Sequence, residues 1–185
     1  MSFFFRNSTP RDPLAVTMSG VRMGERVLQI GVDDPRVVGA ITAKVGLSGH
    51  AAIAVADEPS ADRARSGAAE AGGLLDLHVT ALGALPFDPG SFDAVVVHNV
   101  GGLLPSLGGT ASMALAECRR VLRDGGRIVV IERGTPTGMA TWFGGQKNPA
   151  AASAVTEAAL AAAGFRPVRA LADREGLQFV EGLKT

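Results

Sequence analysis

Glu25-Arg26-Val27-Leu28-Gln29-Ile30-Gly31-Val32-Asp33-Asp34-Pro35 decides the fold. The apolar run of residues 26–30 reads as a buried strand. Gly31 follows as a turn, and then Asp33 or Asp34 serves as a helix N-cap with Pro35 at the first helical position, where its missing N–H costs nothing. A strand that enters a helix through so short a turn is the first half of a βαβ unit.

The alternation continues outward from that passage. Strands are expected over residues 51–56, 75–79, 92–97 and 127–131, and helices over 35–45, 59–71 and 110–122. Leu115, Cys118, Val121 and Leu122 share one face of the last helix, which makes Cys118 a small core residue. A Gly- and Thr-rich loop over 134–145 carries Trp142 and Phe143, a helix follows near 149–163, and short runs at 167–171 and 177–180 read as a hairpin. The pattern predicts an α/β fold: a Rossmann-like, doubly wound, seven-stranded sheet, mostly parallel with an antiparallel last strand. Residues 1–20 read as an irregular arm before a domain over 21–185, because Ser8-Thr9-Pro10, Asp12-Pro13 and Ser19-Gly20 are turn clusters.

Composition narrows the function classes. With 185 residues, 46% hydrophobic and 19% charged, the chain can bury a core and is not disordered. Eighteen basic residues balance eighteen acidic ones, so no overall field gathers nucleic acid. Arg119, Arg120, Arg123 and Arg127 are interleaved with Glu117 and Asp124 and read as a solvated helix end. Three scattered histidines and one cysteine give no metal-ligand spacing, so no metal is expected. The Ala-rich stretch 150–163 is too short and too polar to span a bilayer. A cytoplasmic location is expected, with Phe3, Phe4 and Phe5 available to pack on the sheet, on a protein partner in a larger complex or at a membrane surface.

Three segments carry a family resemblance: residues 24–31, Leu85-Pro86-Phe87 with Ser91-Phe92-Asp93, and Leu122-Arg123-Asp124-Gly125-Gly126-Arg127. In order and spacing they resemble the class I S-adenosylmethionine-dependent methyltransferases, nearest the ubiquinone and menaquinone biosynthesis branch, over roughly residues 20–182. The resemblance implies an acidic residue and alternating glycines in the first loop, an acid at the end of the second strand for the ribose, and an acid before Leu-Pro-Phe for the adenine. This chain has Gln29, then Gly31, Asp33 and Pro35; Ala56 with Asp57 one residue late; and Ala81 beside Thr80. Gly31, Asp33, Asp57 and Thr80 are the cofactor-binding candidates if S-adenosylmethionine is bound.

The leading expectation is a methyltransferase fold with a degraded cofactor site and no cofactor, acting as a structural or binding subunit. The alternative is an active S-adenosylmethionine-dependent methyltransferase for a small hydrophobic acceptor, with His98 as a general base at the end of the fourth strand. A nicotinamide oxidoreductase ranks third, since it needs the same glycine loop. Glu132-Arg133 reads as a substrate contact or an exposed pair, and His50 and His78 read as structural.

Overall fold

The computed structural model describes residues 13–133 and 149–185. The phenylalanines at 3–5 and the Trp142-Phe143 pair lie outside the described residues. Seven strands form one sheet in the order β3-β2-β1-β4-β5-β7-β6. They are β1 (Arg26–Ile30), β2 (His50–Val55), β3 (Asp76–Val79), β4 (Phe92–Asn99), β5 (Leu122–Arg133), β6 (Val168–Arg174) and β7 (Leu177–Leu183). β1 through β5 pair in parallel, and β7 runs antiparallel to both β5 and β6. The expected α/β, doubly wound, mostly parallel sheet is the one observed.

Among the described residues six α-helices accompany the sheet: α1 (Leu14–Met18), α2 (Pro35–Val45), α3 (Glu58–Glu70), α4 (Leu103–Ser106), α5 (Ala111–Val121) and α6 (Pro149–Ala162). α2 starts as the sequence dictates: Asp34 is the N-cap, its Oδ1 accepts from the Arg36 amide at 2.9 Å, and Pro35 takes the first turn. Asp57 caps α3 in the same way, accepting from the Ser60 amide at 2.8 Å. α2 and α3 touch backbone to backbone, because a Cβ at Gly39 would collide with the Gly67 carbonyl and one at Gly67 with that of Pro35.

The sheet separates two apolar layers. One contains Leu28, Ile30, Phe92, Val95, Val97, Leu122, Ile128, Leu160 and Phe165, with Cys118 among them; burial pushes the Cys118 thiol up to about 12. The other joins Val27, Ile41, Ala94, Val96, Ile131 and Phe179 to Ala15 and Val16 of α1. That second layer corrects the expectation of an irregular stretch over residues 1–20: 14–18 are helical, and Val16 is fully buried. Apolar contact with the sheet outweighs the turn signals that flank the helix.

The arginines also differ from expectation. Arg127 pairs with Glu25 at 2.8 Å and donates to the Gly20 carbonyl, while Arg120 holds Glu117 and the carbonyls of Leu85 and Phe87. Arg123 pairs with Asp93, and Arg119 donates to the Gly164 carbonyl. These side chains tie separate elements together and are not merely a solvated helix end.

Candidate functional site

In an open α/β sheet, ligands bind beyond the carboxyl ends of the strands, at the point where strand order reverses. Here that point lies between β1 and β4, where the β1–α2 loop faces the β4–α4 loop. Gly31 leaves β1 at φ +74°, and a Cβ there would fall 2.6 Å from Leu103 Cδ2, so Leu103 rests directly on this backbone. Asp33 reaches across: its two carboxylate oxygens accept from the amides of Val100 at 2.6 Å and Gly101 at 2.8 Å. A Cβ at position 101 would meet Asp33 Oδ1 at 2.7 Å, so a side chain there would push the Asp33 carboxylate aside. Arg63 of α3 donates to the Asp33 carbonyl. The sequence suggested that a carboxylate would satisfy the α2 amides; Asp34 does that, while Asp33 ties the two loops together.

Gln29 and His98 lie beneath this tie, on the α2 side of the sheet. His98 is 3% exposed, and its Nε2 is 3.0 Å from Gln29 Oε1. The Gln29 amide lies 3.3 Å from both the Val38 carbonyl and Thr42 Oγ1, and Thr42 donates to that same carbonyl at 2.8 Å. Burial drives the His98 pKa down to about 4, against the pull of Asp33 and Asp34, so the ring is neutral at pH 7. A ring enclosed this way and already bonded at Nε2 is a packing residue of the sheet–α2 interface. It does not face the cleft as the general base considered from sequence.

The other cofactor candidates are dispersed. Asp57 is exposed and occupied as the α3 cap, and its bond to the Ser60 amide holds its pKa below the usual carboxylate range. Thr80 follows β3, where its amide donates to the Val55 carbonyl at 2.9 Å and its hydroxyl lies 3.4 Å from the Ala84 carbonyl.

A second polar group lies on the opposite face, of which the sequence singles out only Glu132. Asn99, Glu132 and Gln178 are register partners across β4, β5 and β7, and all three are buried. Thr156 of α6 donates to Glu132 Oε2 at 2.7 Å, and the Asn99 amide approaches the same oxygen at 3.4 Å. Asn99 Oδ1 accepts from the Leu104 amide at 2.8 Å, fixing the start of α4. Burial raises the Glu132 pKa, and the Thr156 and Asn99 hydrogen bonds partly offset the rise. Glu132 is therefore not an exposed residue, although Arg133 beside it is. The available signal was register: Glu132 continues the inward alternation of Ile128 and Val130.

Residues 38–130 match the family described as "Methyltransferase domain". The chain belongs to this family. A stretch of 66 residues is 38% identical to the ubiquinone/menaquinone biosynthesis C-methyltransferase UbiE of Geobacter sp. (strain M21), covering 35% of this chain and 26% of that protein. The match thus spans about a quarter of the curated relative. Among solved structures, a SAM dependent methyltransferase from Aquifex aeolicus superposes with a TM-score of 0.73 at 16% identity, over 92% of this chain and 87% of that one. A SAM-dependent O-methyltransferase from Thermotoga maritima gives 0.67 at 16% identity, over 92% and 63%. These structural likenesses establish the fold.

S-adenosylmethionine presents a carboxylate and an ammonium at one end and a ribose and adenine at the other. In the arrangement seen, several of the groups at this cleft already have partners within the chain. Leu103 covers the Gly31 backbone, the Asp33 carboxylate fills the paired amides of Val100 and Gly101, and Asp57 is occupied by its helix. Among the described residues no group of three His, Cys, Asp or Glu is placed to hold a metal ion, and no helix is long and apolar enough to cross a membrane. A cavity of about 550 Å3 lined by Thr42, Leu47, His50, Leu74 and Asp76 lies at the amino-terminal edge of β2 and β3, away from this cleft.

Proposed function

We propose that this chain is a methyltransferase domain that transfers a methyl group from S-adenosylmethionine to a small hydrophobic acceptor, in a form whose cleft must first open at Asp33. The observation that carries the reading is the family match over 38–130, laid on a sheet whose β1 and β4 loops face each other at the reversal of strand order. A second reading is favoured by the Asp33 carboxylate on the Val100 and Gly101 amides. In it the tie is permanent, and the domain serves as a binding or structural subunit of a larger assembly, with residues 3–5 as a docking element for a protein partner or a membrane surface.

Calorimetric titration with S-adenosylhomocysteine separates the two. Replacing Asp33 by glycine removes the internal carboxylate, frees two amides and relieves the negative charge beside an incoming carboxylate. The expected result is weak binding by the natural chain, near millimolar, strengthened tenfold or more in Asp33→Gly. The variant should also lose about 1 kcal/mol of stability, the cost of a half-buried charge-assisted tie. If neither protein binds saturably at millimolar ligand, the methyltransferase reading falls and the second stands.

A further inference from the structure

Residues 101–109, with α4 at their centre, form a small body that side chains fasten to the fold. The backbone hydrogen bonds of this stretch run between its own residues and their immediate flanks: the Gly102 amide donates to the Asn99 carbonyl, Ser106 to Gly102, and Leu107 to Leu103 and Leu104. Three kinds of side-chain contact hold it down. Asp33 accepts from the Val100 and Gly101 amides, Asn99 Oδ1 accepts from the Leu104 amide, and Leu103, Leu104 and Leu107 pack on the apolar layer beneath. A glycine pair stands at each end, Gly101-Gly102 and Gly108-Gly109. Gly102 and Gly108 have φ +79° and +52°, and a Cβ at 102, 108 or 109 would meet nothing within 4 Å. Backbone that is both glycine and unpacked can turn at low cost. Between the pairs Pro105 stiffens the body, because its ring fixes φ.

We infer that residues 101–109 are a hinged plug, which pivots as one body on its two glycine pairs and in its closed position seats Leu103 on the Gly31 backbone. This rests on the methyltransferase reading only in naming S-adenosylmethionine as the ligand that competes with Leu103 for that place. Asp33 is the latch, since its carboxylate bonds the amides at and just before the first hinge. The three leucines make the closed position the ground state, because lifting the body returns their surface to water. Opening leaves the sheet intact, as the ties that break belong to side chains and not to a strand ladder. A ligand that needs the open form binds with an affinity reduced by the fraction of molecules that are open, so the plug sets the apparent affinity of the cleft.

Amide hydrogen exchange followed by NMR reads the plug on the full chain without any ligand. The amides of Leu104, Ser106 and Leu107 should exchange as a unit, with protection factors within about threefold of one another and at least about a hundredfold below those of Val95, Val96 and Val97 in β4. Asp33→Asn should lower all three about tenfold while β4 keeps its protection, although Asp33 bonds none of these amides. Protection equal to that of β4, scattered values across the three, or an Asp33→Asn effect confined to Val100 and Gly101 would each overturn the inference. Calorimetry with S-adenosylhomocysteine then compares the natural chain with Leu103→Ala, which should bind about tenfold more tightly. Should that variant not fold, exchange in the natural chain and in Asp33→Asn decides the matter. Joint opening with no binding by either protein would retain the hinged body and remove the methyltransferase reading. Equal binding by both would retain that reading and overturn the plug.

Discussion

His98 and Asn99 are neighbours on β4, yet they open onto opposite faces and opposite solutions to the same problem. On the α2 face, His98, Gln29, Thr42 and the Val38 carbonyl form a closed set in which each polar group meets another. On the α6 face, Asn99, Glu132 and Thr156 leave one carboxyl oxygen open. Both groups titrate abnormally because of burial, His98 downward and Glu132 upward. A closed polar set is a packing device, whereas an open one leaves a buried acceptor unpaired at a cost to the fold. The contrast explains why the histidine, the more obvious candidate in the sequence, is the weaker candidate in space.

The largest effect should come from breaking the closed set. Gln29→Ala removes the partner of His98 and of Thr42 and leaves a cavity at a fully buried strand position. The expected loss is about 3–5 kcal/mol, combining a cavity with unpaired buried groups. Urea denaturation measures it, and a loss below about 1 kcal/mol would mean that the set is not what holds α2 to the sheet.

Next comes the pH response of the same set. Because the folded His98 pKa of about 4 lies below its unfolded value near 6.5, the unfolded chain binds more protons between those limits. The stability His98 contributes is present above pH 6.5 and is lost as pH falls toward 4. Between pH 7.5 and 5 the loss should be about 2 kcal/mol, and His98→Gln should abolish it. Asp34, Asp57 and Asp93 have lowered pKa values, so their contributions fade only at lower pH and do not obscure this window. Identical pH slopes in the two proteins would show that His98 is not held neutral by burial.

Much of the fold was legible because its signals are local. Strand β1 and helix α2 were readable to the residue, since Gly31, Asp34 and Pro35 punctuate an apolar run. β5 begins earlier than its apolar run suggests, at Leu122, because Leu122 pairs with Phe92 and the Gly125 amide is satisfied by the Lys184 carbonyl at 2.8 Å. Those partners are distant in sequence and leave no local trace. The site was legible in its substitutions but not in their consequences. Asp33 stood out as a replacement for glycine, yet that its carboxylate would bridge to Val100 and Gly101 depends on how β1 and β4 sit side by side. Glu132 reads with Arg133 as a substrate contact or an exposed pair, but its burial was not legible, because its neighbours Asn99, Thr156 and Gln178 come from three other elements.

The smallest effect probes the open set and has the opposite sign. Burial raises the Glu132 pKa above its unfolded value, so the charged carboxylate costs stability at neutral pH, and that cost disappears as pH falls through the folded pKa. Glu132→Gln removes the charge while keeping an oxygen for Thr156. The new amide hydrogens bring their own need for partners, which offsets part of the gain. The net expectation at pH 7.5 is a stabilisation of up to about 1 kcal/mol, seen as a rise of a few degrees in Tm that shrinks toward zero in acid. A destabilised variant would mean that Glu132 belongs to the packing of the sheet, as His98 does. A stabilised one would show a residue kept at a cost to the fold.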